Sequence, residues 1–239
     1  MTLREQWENH AAQWLAWARA PGHDSFWRHH GEQFSRLLPA PGALTLDIGC
    51  GEGRLSRQLK AAGHAVVGVD ASPTLIAAAR SADPSIAVIR ADAAALPLSD
   101  ACADLVIAFM SLQDVDAMPD AVREVARVLR PGGRFCIAIV HPLNSAGRFD
   151  GLAPDAPFVM SGSYLESFIY SDAIERDGFS MTFHSAHRPL QSYVVALEEA
   201  GFLIEALREP SIPEAAIAHD SSRRWQRVPL FLHLRCLRP

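Results

Sequence analysis

This 239-residue sequence predicts an α/β fold with a mostly parallel sheet covered on both faces, and three observations carry that prediction. Short apolar runs alternate with helical patterns from Leu44 to Val140. Several of those runs are apolar on consecutive residues, as in Arg134–Val140 (RFCIAIV), which suits strands buried on both sides. The first run, Leu44–Ile48, passes into a glycine-dense turn, Asp47-Ile48-Gly49-Cys50-Gly51-Glu52-Gly53, and then into a helical pattern through Leu59. Glycines on alternate positions remove three Cβ atoms, so the chain turns tightly and leaves backbone open to a ligand. The helix that follows directs its unpaired N–H groups into the same space.

In order, residues 5–18 read as one amphipathic helix, with Trp7, Ala11, Trp14 and Ala18 on one face and Trp17 beside it. Two readings stay open: a docking helix that buries its tryptophans, or a cap whose aromatics line a pocket. Ala20-Pro21-Gly22-His23-Asp24 breaks it, and Asp24 or Ser25 can cap a second helix carrying Phe26, Trp27, Phe34, Leu37 and Leu38 as far as Pro39. After the glycine turn, Gly63 closes the first core helix and Ala65–Val69 is a strand ending at Asp70. Ser72-Pro73 supplies an N-cap and a first-turn proline for a helix through Arg80. Ile86–Ile89 and Leu105–Phe109 are the next strands, and Pro119–Leu129 is a helix burying Val122, Val125, Ala126 and Leu129. Arg130-Pro131-Gly132-Gly133 reads as a sharp turn before strand Arg134–Val140.

The alternation stops at His141. Residues 142–188 are too long for a structureless loop inside a domain, so a lid or substrate insert is expected, with hairpin-like pieces at Ser167–Ala173 and Ser180–His184 around Arg176-Asp177-Gly178. A helix from Pro189 to Ala200, stopped by Gly201, then leads to strands at Phe202–Leu207 and Val228–Leu237. The expected organisation is one domain over 1–239, with a helical cap at 1–38 and the insert at 142–188.

Bulk properties narrow the function. A net charge of −5 argues against a nucleic-acid footprint, and no apolar stretch reaches the length of a membrane span. Arg4, Glu5 and Glu8 stand where a secretory leader needs apolar residues, so a cytoplasmic location is expected. Cys50, Cys102, Cys136 and Cys236 lack paired spacing and suit reduced, buried thiols. His23, His29 and His30 lack the partners a metal site needs, and no metal is expected.

The acids at the strand ends decide what the turn holds. An NAD site calls for G-x-G-x-x-G with a carboxylate about 20 residues later. Here the spacing is G-x-G-x-G, and Asp47 precedes it, where a dinucleotide's phosphates would be repelled. That arrangement suits a cofactor with a cationic amino group and no pyrophosphate. Asp70 ends the second strand, where it can accept both ribose hydroxyls, and Asp92 ends the third, in reach of an adenine edge.

LDIGCGEGRLSRQL, VVGVDASPTLIAAAR, ADAAALPLSDACADLVIAFMSLQDV and EVARVLRPGGRF together resemble the successive motifs of class I S-adenosylmethionine-dependent methyltransferases. They are most similar to the methyltransferase type 11 branch, which includes ubiquinone/menaquinone C-methyltransferases. The resemblance covers about residues 40–140. It implies a Rossmann-like seven-stranded sheet of order 3-2-1-4-5-7-6 with the last strand antiparallel, and S-adenosyl-L-methionine as cofactor. It also implies that Asp47, Gly49, Cys50, Gly51 and Gly53 surround the methionine and ribose part, Asp70 with Ala71 the ribose, Asp92 with Ala93 the adenine, and Met110-Ser111 the methionine end.

For the acceptor the expectation is a small organic molecule, with the chain a monomer or homodimer. Positioning supplies most of the catalysis, and a base is needed only where the acceptor must lose a proton. His141 and His184 are the candidate bases, with His187 behind them. Trp14, Trp27, Tyr164 and His187 are candidate substrate contacts; Tyr170, Phe183, Gln113 and Asp114 are further candidates. Phe109-Met110-Ser111-Leu112 stands where a base-modifying enzyme would carry N/D-P-P-Y, which disfavours nucleic-acid bases. The competing readings are a non-catalytic S-adenosylmethionine-binding sensor or accessory module, and an NAD-dependent oxidoreductase.

Overall fold

A computed structural model describes residues 1–24, 29–217 and 219–239. Its centre is a seven-stranded sheet built from β1 (Thr45–Ile48), β2 (Val66–Asp70), β3 (Ala87–Arg90), β4 (Ala103–Phe109), β5 (Leu129–Val140), β10 (Leu203–Arg208) and β11 (Phe231–Leu237). The strands of the 142–188 insert, β6 (Gly147–Phe149), β7 (Phe158–Met160), β8 (Phe168–Arg176) and β9 (Phe179–His187), lie outside it in two hairpins. The order across the sheet is β3-β2-β1-β4-β5-β11-β10. Counting sheet strands alone, this is the expected 3-2-1-4-5-7-6, and β11 is antiparallel to both neighbours.

Period-two burial on both faces explains the continuous apolar runs. Val106 and Ala108 of β4, with Phe135, Ile137 and Ile139 of β5, pack on one side with Val122 and Val125 of α6 (Met118–Val128) and Leu197 of α8 (Leu190–Glu199). Leu105, Ile107, Cys136 and Ala138 face the other side, against Leu55 and Leu59 of α4 (Arg54–Ala61) and Phe34 of α3 (Gly31–Ser35). Ile76 and Ala79 of α5 (Pro73–Ala82) pack on Val88 of β3. Ser72 caps α5 as expected: its Oγ accepts from the Leu75 amide at 3.0 Å, with Pro73 at the first helical position. Gly63, at φ +94, lets the His64 amide reach back to the Leu59 carbonyl at 3.0 Å and ends α4.

Three expectations need correction. The N-terminal helix is two helices, α1 (Leu3–Asn9) and α2 (Ala11–Arg19), because His10 leaves helical geometry at φ −105°, ψ 6° and its Nδ1 lies 2.9 Å from the Gln6 carbonyl. The second expected helix is represented by the short α3, which ends at Ser35; Ser25, Phe26 and Trp27 lie outside the described residues. Arg130–Gly133 is not a turn ahead of β5 but a bulge within it. Ala103 pairs with Leu129 and Leu105 with Arg134, so the extra residues loop out, with Gly132 at φ +80. The Gly132 amide donates to the Arg238 carbonyl at 2.8 Å, which staples the bulge to the end of the chain.

The insert departs from the sheet through α7 (Pro142–Ser145), which leads into β6. β8 and β9 form the expected hairpin, longer than the pattern suggested, with Asp177 at φ 51° and Gly178 at φ 78° at its tip. Two consecutive left-handed residues match the twist of the flanking strands. No described helix is long and apolar enough to cross a membrane.

Candidate functional site

The carboxyl ends of β1, β2, β3 and β4 open into a cavity of ≈ 470 Å³. All three glycines of the turn are left-handed, Gly49 at φ +71, Gly51 at +56 and Gly53 at +81. A Cβ at Gly49 would lie 2.3 Å from Ser111 Cβ, so the first glycine is required by packing as well as by φ. A Cβ at Gly51 would meet only Trp14 Nε1, at 3.4 Å, which leaves the backbone there facing open space. The Val69 carbonyl accepts from the Gly49 and Cys50 amides at 2.7 and 3.0 Å, and Ser111 Oγ donates to the Ile48 carbonyl at 2.6 Å.

Acids surround the turn. Asp47 is 1% exposed and accepts from Ser56 Oγ at 2.6 Å; burial pushes its carboxyl up to about 6 against that hydrogen bond, with Asp70 adding to the rise. Asp70 accepts from the Gly51 amide through Oδ2 and from the Ser72 amide through Oδ1, both at 2.8 Å, and burial likewise raises its carboxyl. Asp92 accepts from the Ala94 amide at 2.9 Å and lies 3.4 Å from Arg4. Glu52 is buried between Arg57 at 2.8 Å and Arg19 at 3.5 Å. Carboxylates beside a backbone cradle fit a cationic, phosphate-free cofactor with hydroxyl and amino groups to donate, which is the donor pattern of S-adenosyl-L-methionine.

Asp47, Gly49, Cys50, Gly51, Asp70, Ala71, Asp92, Ala93, Met110 and Ser111 all line this one cavity. Gly53 does not; it caps α4, and a Cβ there would sit 3.2 Å from Ala79. Trp14 lines the cavity, whereas Trp27 lies outside the described residues.

His141, His184, His187 and Tyr164 are not among the lining residues, because each is engaged elsewhere; the histidines that do line the cavity are His23 and His29. His141 Nδ1 accepts from the Leu143 amide at 3.0 Å, so its Nε2 carries the proton toward Glu209 Oε1 at 2.9 Å. Neither nitrogen is left to serve as a base, and burial lowers the ring's proton affinity against the pull of Glu209. His184 lies 2.7 Å from Ser171 Oγ and 3.2 Å from His10 Nδ1. His187 is fully buried between Ser145 Oγ and the Tyr164 carbonyl, and the Tyr164 hydroxyl accepts from the Leu190 amide at 3.1 Å.

The far wall comes from the N-terminal helices and the β8–β9 hairpin. Trp7, Trp14 and Trp17 meet the ring of Phe183 edge-on at 6.5, 6.1 and 6.1 Å. The tryptophan stripe therefore docks on the β8–β9 hairpin and lines the cavity at once, so the two sequence readings merge. Glu8 holds α1 over the site by accepting from the Ser72 and Thr74 hydroxyls, and Asp116 accepts from the Leu3 and Arg4 amides. Trp7, Arg4, Asp116 and Arg176 are lining residues that sequence reasoning did not assign to the site; only the aromatic stripe pointed toward one of them.

Comparison with known proteins returns the same family. A methyltransferase-domain family matches residues 46–137. The chain is similar to malonyl-[acyl-carrier protein] O-methyltransferase of Pectobacterium atrosepticum, 37% identical over 138 residues, 55% of this chain and 54% of that protein. It is also similar to a probable S-adenosylmethionine-dependent methyltransferase of Mycobacterium tuberculosis, 34% identical over 134 residues, 55% of this chain and 49% of the relative. The match thus spans about half the length of these curated relatives. Among solved structures, an S-adenosylmethionine-dependent methyltransferase of Mesorhizobium loti superposes with a TM-score of 0.71 at 26% identity, covering 87% of this chain and 96% of the other.

Proposed function

We propose, from the premise that this chain carries a class I S-adenosylmethionine-dependent methyltransferase domain of the type 11 kind, that it methylates a small organic acceptor held between the glycine turn and the lid. The observation that carries the reading is a single cavity shared by the strand-end acids, the glycine turn, the N-terminal tryptophans and the β8–β9 hairpin. A binding-only sensor needs no room beyond its cofactor. Here the cavity continues past the turn to Tyr170, Asp172, Phe183 and Ser185.

In this reading Asp70 accepts the ribose hydroxyls, Asp92 and Ala93 meet the adenine, and the Gly49–Gly51 backbone with Met110 and Ser111 holds the methionine end. Asp47, once ionised, supplies negative charge for the amino group. When bound, the sulfonium cofactor provides an activated methyl group. The chain's own contribution is to exclude water with Trp7, Trp14, Trp17 and Phe183 and to hold the acceptor in line, for which the effective-molarity argument allows ~7–11 kcal/mol. Asp114 and Asp172 line the acceptor side, where burial favours their neutral carboxyls, and the malonyl-[acyl-carrier protein] named for the Pectobacterium relative is a comparison substrate for the assay.

Calorimetry with S-adenosylhomocysteine tests the cofactor half, and mass spectrometry of a metabolite panel for gain of one methyl tests transfer. Binding together with a methylated product is the expected result. Absence of S-adenosylhomocysteine binding would sink the reading.

A further inference from the structure

Strand β8 turns one face of the hairpin toward the cavity. Tyr170, Asp172, Ile174 and Arg176 line it, whereas the residues between them do not, so alternate side chains of β8 point inward. Two residues of antiparallel strand rise about 7 Å, which sets these four groups along a wall about 20 Å long. Phe183 stands opposite Asp172 in the strand register and continues the same face. Arg176 ends the row.

Among the described residues, Arg176 is the lining arginine without an acid partner. Arg4 pairs with Asp92 at 3.4 Å and Arg54 with Asp24 at 2.7 Å, but Arg176 makes no ion pair. Its guanidinium lies 5.5 Å from the centre of the Trp17 ring, and its Nη1 donates to the His23 carbonyl at 3.5 Å. Trp17 lines the cavity too and is held edge-on by Phe183 at 6.1 Å and by His23 at 4.9 Å. A planar fork stacked on a fixed ring is pre-organised, and most of its N–H donors are left unused by the protein.

The acids of this wall are answered elsewhere. Asp177, next in sequence, lies 3.6 Å from His23 Nε2, and Asp172 stands about 13 Å back along the strand. Glu52 pairs with Arg57, Asp116 accepts from the Leu3 and Arg4 amides, and burial favours the neutral carboxyls of Asp114 and Asp172.

We infer that Arg176 anchors a carboxylate of the methyl acceptor, whose apolar body lies along Ile174, Phe183 and Trp17. The inference rests on the methyltransferase reading and deepens it by naming the substrate class, an amphipathic carboxylic acid. A guanidinium donates two parallel N–H bonds to a carboxylate. The amide of the same shape offers it one oxygen and a mismatched NH₂, so the anchor tells the acid from its amide.

The test uses the full chain saturated with S-adenosylhomocysteine and two matched probe pairs, phenylacetate with phenylacetamide and cinnamate with cinnamamide, titrated by ligand-observed NMR. The acid of at least one pair is expected to bind on the order of tenfold more tightly than its amide. In Arg176→Gln that preference is expected to collapse, and in Arg176→Lys, which keeps the charge without the fork, to return in part. An arginine with a merely structural role would show no such rescue. Equal binding within both pairs, no binding by either acid, or a preference that survives in Arg176→Gln overturns the inference. So does weakened S-adenosylhomocysteine binding in Arg176→Gln with methylthioadenosine, which lacks the amino-acid end, bound as in the wild type; that pattern gives Arg176 to the cofactor's own carboxylate. The wild-type comparison stands even where a variant fails to fold. Failure of the wild-type chain to bind S-adenosylhomocysteine overturns the methyltransferase reading itself and is recorded separately by calorimetry.

Discussion

The carboxylate of Asp70, at the end of β2, accepts from the Gly51 amide at 2.8 Å, so the glycine turn after β1 is shaped by its neighbouring strand. The same carboxylate accepts from the Ser72 amide at 2.8 Å and so also fixes the start of α5. Asp70→Asn keeps the size but puts a donor where one of two amides needs an acceptor. We expect S-adenosylhomocysteine affinity to fall at least ~tenfold and stability by ~1–3 kcal/mol, read by calorimetry and by urea denaturation. Unchanged affinity would remove Asp70 from the site.

Gly49→Ala tests the turn from the other side. The added Cβ overlaps Ser111 Cβ at 2.3 Å and sits on a backbone at φ +71. Left-handed strain and overpacking each cost ~1–3 kcal/mol. Adding Ser111→Gly relieves the overlap and leaves the strain, so the double variant is expected to recover part of the thermal midpoint. Full recovery would mean that φ at this position carries no cost.

Asp47 predicts opposed pH trends for stability and binding. Its folded value of about 6 lies above the ordinary 3.8, so the fold favours the neutral carboxyl. The corresponding contribution, about 3 kcal/mol, is fully present below the unfolded value and lost as pH rises through about 6. An ammonium-bearing ligand favours the ionised form instead. S-adenosylhomocysteine affinity is expected to weaken as pH falls from 7 toward 5, and Asp47→Asn to flatten that dependence. Calorimetry at several pH values reads both.

His233 has the reverse sign. It is 1% exposed, with its Nε2 lying 3.1 Å from His30 Nδ1, and burial lowers its proton affinity to about 4. A histidine kept neutral by the fold contributes stability above the unfolded value, near 6.5, that is lost as pH falls toward 4. The loss amounts to about 3 kcal/mol. Relative to wild type, His233→Gln is expected to lose less stability across that window in urea denaturation. Parallel curves would show that another group dominates.

Much of this was legible in the order of residues alone. A buried parallel strand must be apolar on both faces, and a strand-to-helix turn at left-handed φ must use glycine. Hence β1, β4, β5, the Gly49–Gly53 turn and the Ser72-Pro73 cap could be read locally, and so could the acids at the ends of β2 and β3. Family resemblance added the strand order. The split at His10 and the bulge at Arg130–Gly133 were not legible, since each depends on a partner remote in sequence or on geometry that periodicity does not encode. Arg238, which staples the bulge, lies more than a hundred residues away.

The far wall of the cavity was decided by tertiary structure. Sequence chemistry pointed to His141, His184 and His187 because histidine titrates near neutrality. Folding turned each ring toward Glu209, His10 or Ser145 instead. Conversely, Gln113 looks like any polar residue in a loop until Met110, Asp114 and Arg188 orient it and burial leaves its Oε1 unmatched. The sequence by itself determined the sheet, the glycine turn and the strand-end acids that line the cavity, since those follow from local backbone rules and strand ends. Only the tertiary structure decided which side chains form the far wall of the cavity, because that depends on how the hairpin and the N-terminal helices pack over the sheet.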